Sequence, residues 1–271
     1  MRERHPVRSV VALVLGLIYV TPILIIVMNA FKPNRDIMLS FIAFPTSLYL
    51  DNFSNAMSAM NFSTALLNTI KVTLLTVLLA TAVSFCAAYG IAHLRRRMSN
   101  MVYLFFVLGQ LVPFHAVMIA ISVQATQLGL NNTHLGLILF NGGFFTAFGI
   151  ITYVGFLKSV PMELEDAAAI DGCGALRTMS QIVFPLVRST TVTLAVLFFL
   201  WTWNDYVLPN ILISKNHLRT ITVNLYMFKT ATNAEWNLLM AGVTLSMIPN
   251  VLLYICAQKY IVSGLTTGAV K

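Results

Sequence analysis

Charged residues are scarce in this chain of 271 residues, where Asp, Glu, Lys and Arg together make up 10%. Soluble domains usually contain about 25% charged residues. This deficit, together with 58% hydrophobic residues, argues against a soluble domain and indicates a membrane protein. The net charge of +8 does not indicate nucleic-acid binding, because Lys and Arg interrupt apolar runs instead of forming one basic stripe.

Cysteine is also rare, and its three positions, Cys86, Cys173 and Cys256, are far apart. Their odd number and wide spacing favour neither a disulfide framework nor a metal site. The chain lacks the G-x-x-x-x-G-K-[ST], H-E-x-x-H and G-x-S-x-G patterns. We therefore expect no ATPase or hydrolase activity in the chain itself, and no cofactor bound by it.

Six apolar stretches are long enough to cross a bilayer, which takes about 20 helical residues. Gaps between charged residues define them, and the polar cluster at 129–133 divides the longest gap, 98–157, into two spans. The predicted spans are 10–30, 70–93, 101–122, 134–156, 190–213 and 237–258. They predict an all-α membrane protein with a short N-terminal segment, 1–9, and one transmembrane domain over 10–271. The first span is too long for the apolar region of a signal peptide and no A-x-A site follows it, so we expect it to be retained.

The distribution of Lys and Arg predicts the orientation of the spans. With the N-terminus in the cytoplasm, eleven of these residues fall on the inner side and five on the outer side, leaving out Lys71 at a span end. The run Arg95, Arg96 and Arg97 is the strongest anchor. Both termini and the loop 158–188 are therefore expected to be cytoplasmic.

This loop concentrates acidic residues, because four of the nine in the chain fall within nine positions. They are Glu163, Glu165, Asp166 and Asp171. Pro161 suits the first position of a helix, and acids are favoured in the first turns by the helix dipole. A small apolar face is expected from residues at helical spacing, namely Leu164, Ala167, Ala168 and Ile170.

Two glycines, Gly172 and Gly174, are expected to end or bend this helix. A second short helix is expected from Ala175 to about Phe184, stopped by Pro185. Periodicity alone leaves two alternatives open, a solvated loop and a helix that fits a groove on another protein.

The order of residues in the loop resembles the EAA signature of bacterial ABC importer permeases. Asp166-Ala167-Ala168 is similar to its E-A-A, Asp171-Gly172 to its D-G, and Ile182 to Pro185 to its final I-x-L-P. The sequence departs from the signature with Asp166 in place of Glu and Phe184 in place of Leu. The string 161–172 resembles the carbohydrate-uptake branch. Further similarities are Asn68-Thr69, Pro113, Asn131 to Leu139, Trp203-Asn204-Asp205 with Pro209, and Tyr260 to Lys271.

The resemblance implies the fold of an ABC type I importer permease and a non-catalytic subunit that moves a sugar across the bacterial inner membrane. It implies a second permease as heterodimer partner, two cytoplasmic ATPases that bind ATP and Mg, an extracytoplasmic solute-binding protein, and no nucleic acid. A polyol or a glycerol-phosphate-like compound is the alternative solute. The implied ATPase-coupling residues are Glu163, Glu165, Asp166, Ala167, Ala168, Asp171, Gly172 and Pro185.

Polar and aromatic residues in the spans are candidates for a substrate pathway: Trp203, Asn204, Asp205, Asn141 and Gln110, with Trp201 in the same group of span five. Intramembrane acids usually face a cavity or a partner, and aromatic rings beside hydrogen-bonding groups suit sugars. The alternatives are an interfacial aromatic belt for the residues of span five and interhelical hydrogen bonds for the two amides.

The C-terminal tail, with Gly268 and Lys271, contacts the ATPase if the resemblance holds, or is a frayed terminus. A membrane-embedded enzyme, a stand-alone secondary transporter and a passive scaffold are the competing functions. No nucleophile–base motif, inverted repeat or set of midplane charges supports the first two.

Overall fold

The computed structural model describes residues 6–229 and 234–267, and this part of the chain is almost wholly helical. A single bridge pairs Lys229 with Ala234, and the described residues contain no longer β-structure. The helices are α1 Pro6–Ala30, α2 Asn34–Leu39, α3 Asp51–Ala59, α4 Phe62–Ala92, α5 Arg96–Gln110, α6 Phe114–Gln127, α7 His134–Leu157, α8 Glu163–Ile170, α9 Ala175–Arg177, α10 Phe184–Leu186, α11 Arg188–Trp203, α12 Val207–Leu212, α13 Ile221–Leu225 and α14 Trp236–Thr267. A π-helical turn, Thr178–Val183, joins α9 to α10, and two 3₁₀ turns, Asn216–Leu218 and Tyr226–Phe228, flank α13.

Four segments of the described chain are long and apolar enough to cross a membrane as single helices. They are Val10–Ala30, Phe62–Ala92, His134–Leu157 and Trp236–Cys256. Two bent helix pairs pass the same test only when their members are taken together, α5 with α6 at 96° and Ala175–Leu186 with α11 at 78°. The number of spans is therefore six when each bent pair counts as one.

Span three differs from the continuous helix expected over 101–122. The helix stops at Gln110 and restarts at Phe114, with Pro113 in an extended conformation between them. Proline has no N–H to donate and disfavours helical geometry in the residue before it. The bend of 96° between α5 and α6 therefore follows from Pro113.

Span five is also interrupted, although 190–213 was expected to be one helix. α11 ends at Trp203, and the Asn204 side chain turns back to donate to the carbonyl of Leu200 at 2.8 Å. The Asp205 carboxylate accepts from the N–H of Leu208 at 3.3 Å and so starts α12. Short polar side chains that bond nearby backbone groups compete with helix continuation in this way. Asp205 lies in the break, not inside a span.

The described residues divide into two compact units. One contains those of Met1–Ala65 and Val223–Val251, the other those of Leu66–Thr222 and Leu252–Lys271. In the first unit, the buried Asn52 side chain donates to the carbonyls of Ala30 and Lys32 at 2.9 and 2.8 Å. Lys32 is itself buried; burial lowers the pKa of its ammonium group, and the nearby Asp36 charge partly opposes this.

The core of the second unit lies where α4, α7 and α11 pack together around Phe85, Tyr153 and Phe198. Gly149 on α7 permits the close approach of α4, because a Cβ at this position would stand 2.6 Å from the Cβ of Ser84. The Tyr153 hydroxyl donates to Thr191 Oγ1 at 2.8 Å and ties α7 to α11.

Residues near the start of α4 form hydrogen bonds with the segment 217–221, which follows α12. The Asn68 side chain donates to the carbonyls of His217 and Arg219 at 2.9 and 3.0 Å. The next residue, Thr69, accepts from the N–H of Ile221 at 3.0 Å. These two residues, which the resemblance singled out, therefore anchor a loop of the second unit.

Candidate functional site

The acidic segment folds as the helix α8, followed by a sharp corner and the short helices α9 and α10. Met162 is the N-cap of α8, and its carbonyl accepts from the N–H groups of Glu165 and Asp166 at 2.9 and 3.0 Å. Pro161 precedes the helix instead of occupying its first position as expected. Pro185 lies inside α10 instead of stopping the second helix, whose helical geometry continues to Leu186.

The corner is formed by Gly172, whose φ of 78° places it in the left-handed region. Its N–H donates to the carbonyl of Ala169 at 3.1 Å, and the N–H of Cys173 donates to that of Ala168 at 2.9 Å. This pair of bonds is a Schellman motif, which satisfies the last carbonyls of α8. Glycine is favoured because a side chain is strained at this φ.

The apolar face expected on α8 is divided between two directions. Ala168 is buried, and α8 packs on the π-helical turn. Ile170 is 87% exposed and Leu176, beyond the corner, is 77% exposed. The remaining predicted coupling residues apart from Glu165 are exposed: Glu163, Asp166, Ala167, Asp171, Gly172 and Pro185. The corner after α8 thus exposes two apolar side chains, Ile170 and Leu176, close in sequence to exposed acidic residues.

Glu165 points back to the protein instead of outward. Its Oε2 accepts from the Tyr89 hydroxyl at 2.8 Å and lies 2.9 Å from Nε2 of His93. Nδ1 of His93 lies 2.8 Å from the Tyr89 carbonyl oxygen. Each ring nitrogen of His93 therefore faces one oxygen atom. The Glu165 contact, as we call these bonds, fastens α8 to the end of α4.

A cavity of about 190 Å³ opens beside the break after α11. It is lined by Phe114, Asn141, Phe144, Phe145, Trp201 and Asp205. The Asn141 side chain donates to Asp205 Oδ2 at 3.0 Å, and Thr222 Oγ1 donates to the Asp205 carbonyl at 2.6 Å. An amide and a carboxylate therefore sit among four aromatic side chains.

The predicted pathway residues are only partly brought together. Asn141 and Asp205 meet in the cavity, whereas Trp203 is 3% exposed and stacks on Phe199 with ring centroids 5.3 Å apart. Asn204 is exposed, and Gln110, the last residue of α5, is not one of the residues that line the cavity. The predicted tail residues Gly268 and Lys271 lie outside the described residues.

Sequence reasoning missed several residues that the structure places at these sites. Phe144 and Phe145 line the cavity and follow Asn141 at three and four positions, a spacing that marks one helix face. Tyr89 and His93 are likewise four apart, but nothing in the sequence indicated that Glu165 would reach them.

Within the described ranges, no three His, Cys, Asp or Glu side chains are grouped to hold a metal ion. The described helices and apolar segments define a class, the multi-pass, all-helical membrane protein. A family model described as the inner membrane component of binding-protein-dependent transport systems matches residues 80–267. The chain belongs to this family and is a permease of the inner membrane.

Curated relatives match the chain over most of its length. It is 36% identical to the "Probable starch degradation products transport system permease protein AmyC" of Thermoanaerobacterium thermosulfurigenes, with 100% of both chains covered. It is 33% identical to the "Multiple sugar-binding transport system permease protein MsmG" of Streptococcus mutans, over 94% of this chain and 93% of the relative. Both names describe permease proteins of transport systems.

Solved structures show the same fold. A chain of a bacterial ABC transporter involved in the import of the acidic polysaccharide alginate matches with a TM-score of 0.80 and 21% identity, over 94% of this chain and 95% of the other. A chain of the bacterial alginate transporter in complex with its pentasaccharide-bound periplasmic protein matches with a TM-score of 0.67 and 16% identity, over 93% and 91%. The architecture is that of an ABC importer permease.

Proposed function

We propose that this chain is the transmembrane subunit of an ATP-driven importer that moves a carbohydrate into the cell. The printed names of its relatives, which mention starch degradation products and multiple sugars, support this solute class. In the proposed complex a second permease forms the heterodimer and an extracytoplasmic protein delivers the solute. Two cytoplasmic ATPases bind ATP and Mg. A polyol or a glycerol-phosphate-like solute is the alternative.

The observation that carries the proposal is the shape of α8 and the corner after it. Exposed apolar side chains beside a helix end whose carbonyl groups are hydrogen-bonded are suited to a groove on another protein. The excess of Lys and Arg on the same side of the predicted spans supports a cytoplasmic position for this corner, on the side where the ATPases would be. In this proposal Ile170 and Leu176 enter the groove, while Asp166 and Asp171 make polar contacts at its edge.

A substitution at Ile170 tests the docking. Ile170→Lys puts a charge where the proposal requires an apolar contact, so we expect the ATPase to be lost when the complex is purified through this chain. Phe44→Lys is the matched control, because Phe44 is also 87% exposed but lies between α2 and α3. The control complex is expected to keep its ATPase.

Retention of the ATPase in both variants would contradict the docking surface. Loss in both variants would show that the complex is simply unstable, and melting temperatures of the two purified chains would detect this. Only selective loss with Ile170→Lys supports the proposal.

We also propose that the cavity at Asp205 forms part of the solute pathway. Rings such as Trp201 offer apolar faces, while the Asp205 and Asn141 groups accept and donate hydrogen bonds, a combination that suits the two faces of a sugar. Its volume of about 190 Å³ is below the roughly 300–1,000 Å³ of complete small-molecule sites. The remainder of the site would come from the second permease.

A further inference from the structure

A second cavity, of about 440 Å³, lies at the end of α4, α5 and α7 opposite to Asn68 and Asp205. It is lined by Ala92, Leu94, Arg96, Ser99, Asn100 and Lys158. We call it the basic cavity, because Arg96 and Lys158 contribute two positive charges and none of the six lining residues is acidic. These residues belong neither to α8 and the corner after it nor to the proposed solute pathway.

The basic cavity is built from separate elements. Arg96 starts α5, whereas Lys158 caps the end of α7, and its Nζ lies 5.1 Å from the centroid of the Tyr103 ring. This cation–π contact draws the ammonium group toward α5. Ser99 is 8% exposed and brings a hydroxyl to the wall, and Asn100 adds an amide. The N-cap of α5, Arg95, makes no side-chain cap, so the first N–H groups of α5 need acceptors from outside the helix.

The cavity lies where three long apolar segments of the chain begin or end, which is the region where lipid headgroups meet a membrane protein. α4 ends at Ala92, α5 begins at Arg96 and α7 ends at Leu157, so three membrane-crossing segments terminate around it. Below its mouth, α5 presents apolar side chains to the outside: Met101, Leu104, Phe105 and Leu108 are 53–70% exposed. A polar, cationic cavity above an exposed apolar helix face matches the two parts of a phospholipid.

We propose that the basic cavity binds the phosphate headgroup of an anionic phospholipid, whose acyl chains lie along α5. Arg96 and Lys158 neutralise the phosphate, and Ser99 and Asn100 donate hydrogen bonds to it. Basic pockets between membrane helices bind anionic headgroups by this chemistry. The apolar surface of α5 favours a lipid over a soluble phosphate as the occupant, because a soluble ligand gains nothing from it.

Native mass spectrometry of the full-length chain in detergent tests the proposal, with phosphatidylglycerol as the probe and phosphatidylcholine as the neutral comparison. The wild-type chain is expected to retain one phosphatidylglycerol in preference to phosphatidylcholine. Arg96→Gln and Lys158→Gln are each expected to weaken binding about fivefold, and the double variant about 25-fold. Arg97→Gln is the matched control, because it removes the same charge from the next residue, which does not line the cavity.

Equal weakening by Arg97→Gln would show diffuse surface attraction and overturn the site. Displacement of the lipid by glycerol 3-phosphate at equal concentration would show that the acyl chains contribute nothing, and would overturn the lipid assignment. Ser99→Leu fills the cavity wall without changing charge and is also expected to lose the bound lipid. A melting temperature well below that of the wild-type chain identifies a misfolded variant. The lipid binding of the correctly folded variants then tests the proposal. These readouts do not depend on the ATPase or on transport.

Discussion

Removing the Glu165 contact should loosen α8 without unfolding the protein. Glu165→Gln keeps the size of the side chain but removes the charge that the Tyr89 hydroxyl and His93 approach. Tyr89→Phe removes only the hydroxyl that donates to Glu165 at 2.8 Å. Both variants leave the helix α8, its glycine corner and its exposed apolar tips in place. The two substitutions therefore test the attachment of α8 to α4 separately from its docking surface.

The size of the effect follows from the chemistry of the bond. A hydrogen bond to a charged acceptor contributes about 1.5–3 kcal/mol. The Glu165 side chain is 15% exposed and His93 is 34% exposed, so solvent screening favours the lower end of this range. About 1.4 kcal/mol corresponds to a tenfold change in an equilibrium constant. We therefore expect each variant to raise the population of detached α8 about tenfold.

Hydrogen–deuterium exchange of the α8 amides measures this population directly, because exchange occurs from the locally opened state. Protection of residues 163–170 is expected to fall about tenfold in each variant and only slightly further in the double variant, since both changes weaken the same interaction between Tyr89 and Glu165. In the reconstituted complex, solute moved per ATP hydrolysed should fall as well. The ATPase should still co-purify, because the docking residues are unchanged.

Glu163→Gln is the control for this experiment. Glu163 also lies in the first turn of α8, so its loss weakens the interaction with the helix dipole as the Glu165 change does. It is exposed and forms no part of the Glu165 contact. If Glu163→Gln lowers protection as strongly as Glu165→Gln, or if Tyr89→Phe leaves protection unchanged, the contact does not hold α8 and the reasoning is refuted.

Two further predictions concern the core and the cavity. Gly149→Ala forces a methyl group against Ser84 and should destabilise the protein by about 1–3 kcal/mol in thermal unfolding, whereas Gly143→Ala, with no atom within 4 Å, should be neutral or slightly stabilising. A lower melting temperature for Gly143→Ala than for Gly149→Ala would contradict the close packing of α4 and α7. Trp201→Ala should reduce solute-stimulated ATP hydrolysis several-fold with little change in the basal rate, while Ile119→Ala, 73% exposed on α6, should change neither.

The sequence predicts the helical class and the apolar stretches because both depend on local composition. A lack of charge over some 20 residues is sufficient to mark a membrane-crossing helix. The corner at Gly172 was also predictable, since a left-handed residue after a helix requires glycine or a close substitute. These features depend on residues that are close in the sequence, so they can be predicted without knowledge of the tertiary fold.

The breaks in spans three and five were not predicted, although their causes are visible afterwards. Pro113 and Asp205 each sit in apolar surroundings, and a hydropathy pattern does not register a lost N–H or a side chain that caps a new helix. The separation of Trp201 from Trp203 depends on which face of α11 packs inward, which the helix's nearly uniform hydrophobicity does not specify. The Glu165 contact joins residues 76 positions apart, and only the tertiary fold brings them together.

The position of these contacts along α4 connects the two candidate sites of the second unit. Tyr89 holds Glu165 near one end of the helix, and Asn68 and Thr69 hold the loop 217–221 near the other. With a rise of about 1.5 Å per residue, the two anchor points are about 30 Å apart, the thickness of a bilayer core. The loop continues to Thr222, which donates to the backbone of Asp205 at the cavity. Because a helix resists changes of length along its axis, we expect a pull by α8 on Tyr89 to be transmitted along α4 to the loop 217–221. On the proposed function, α4 is therefore the element through which events at the ATPase reach the solute.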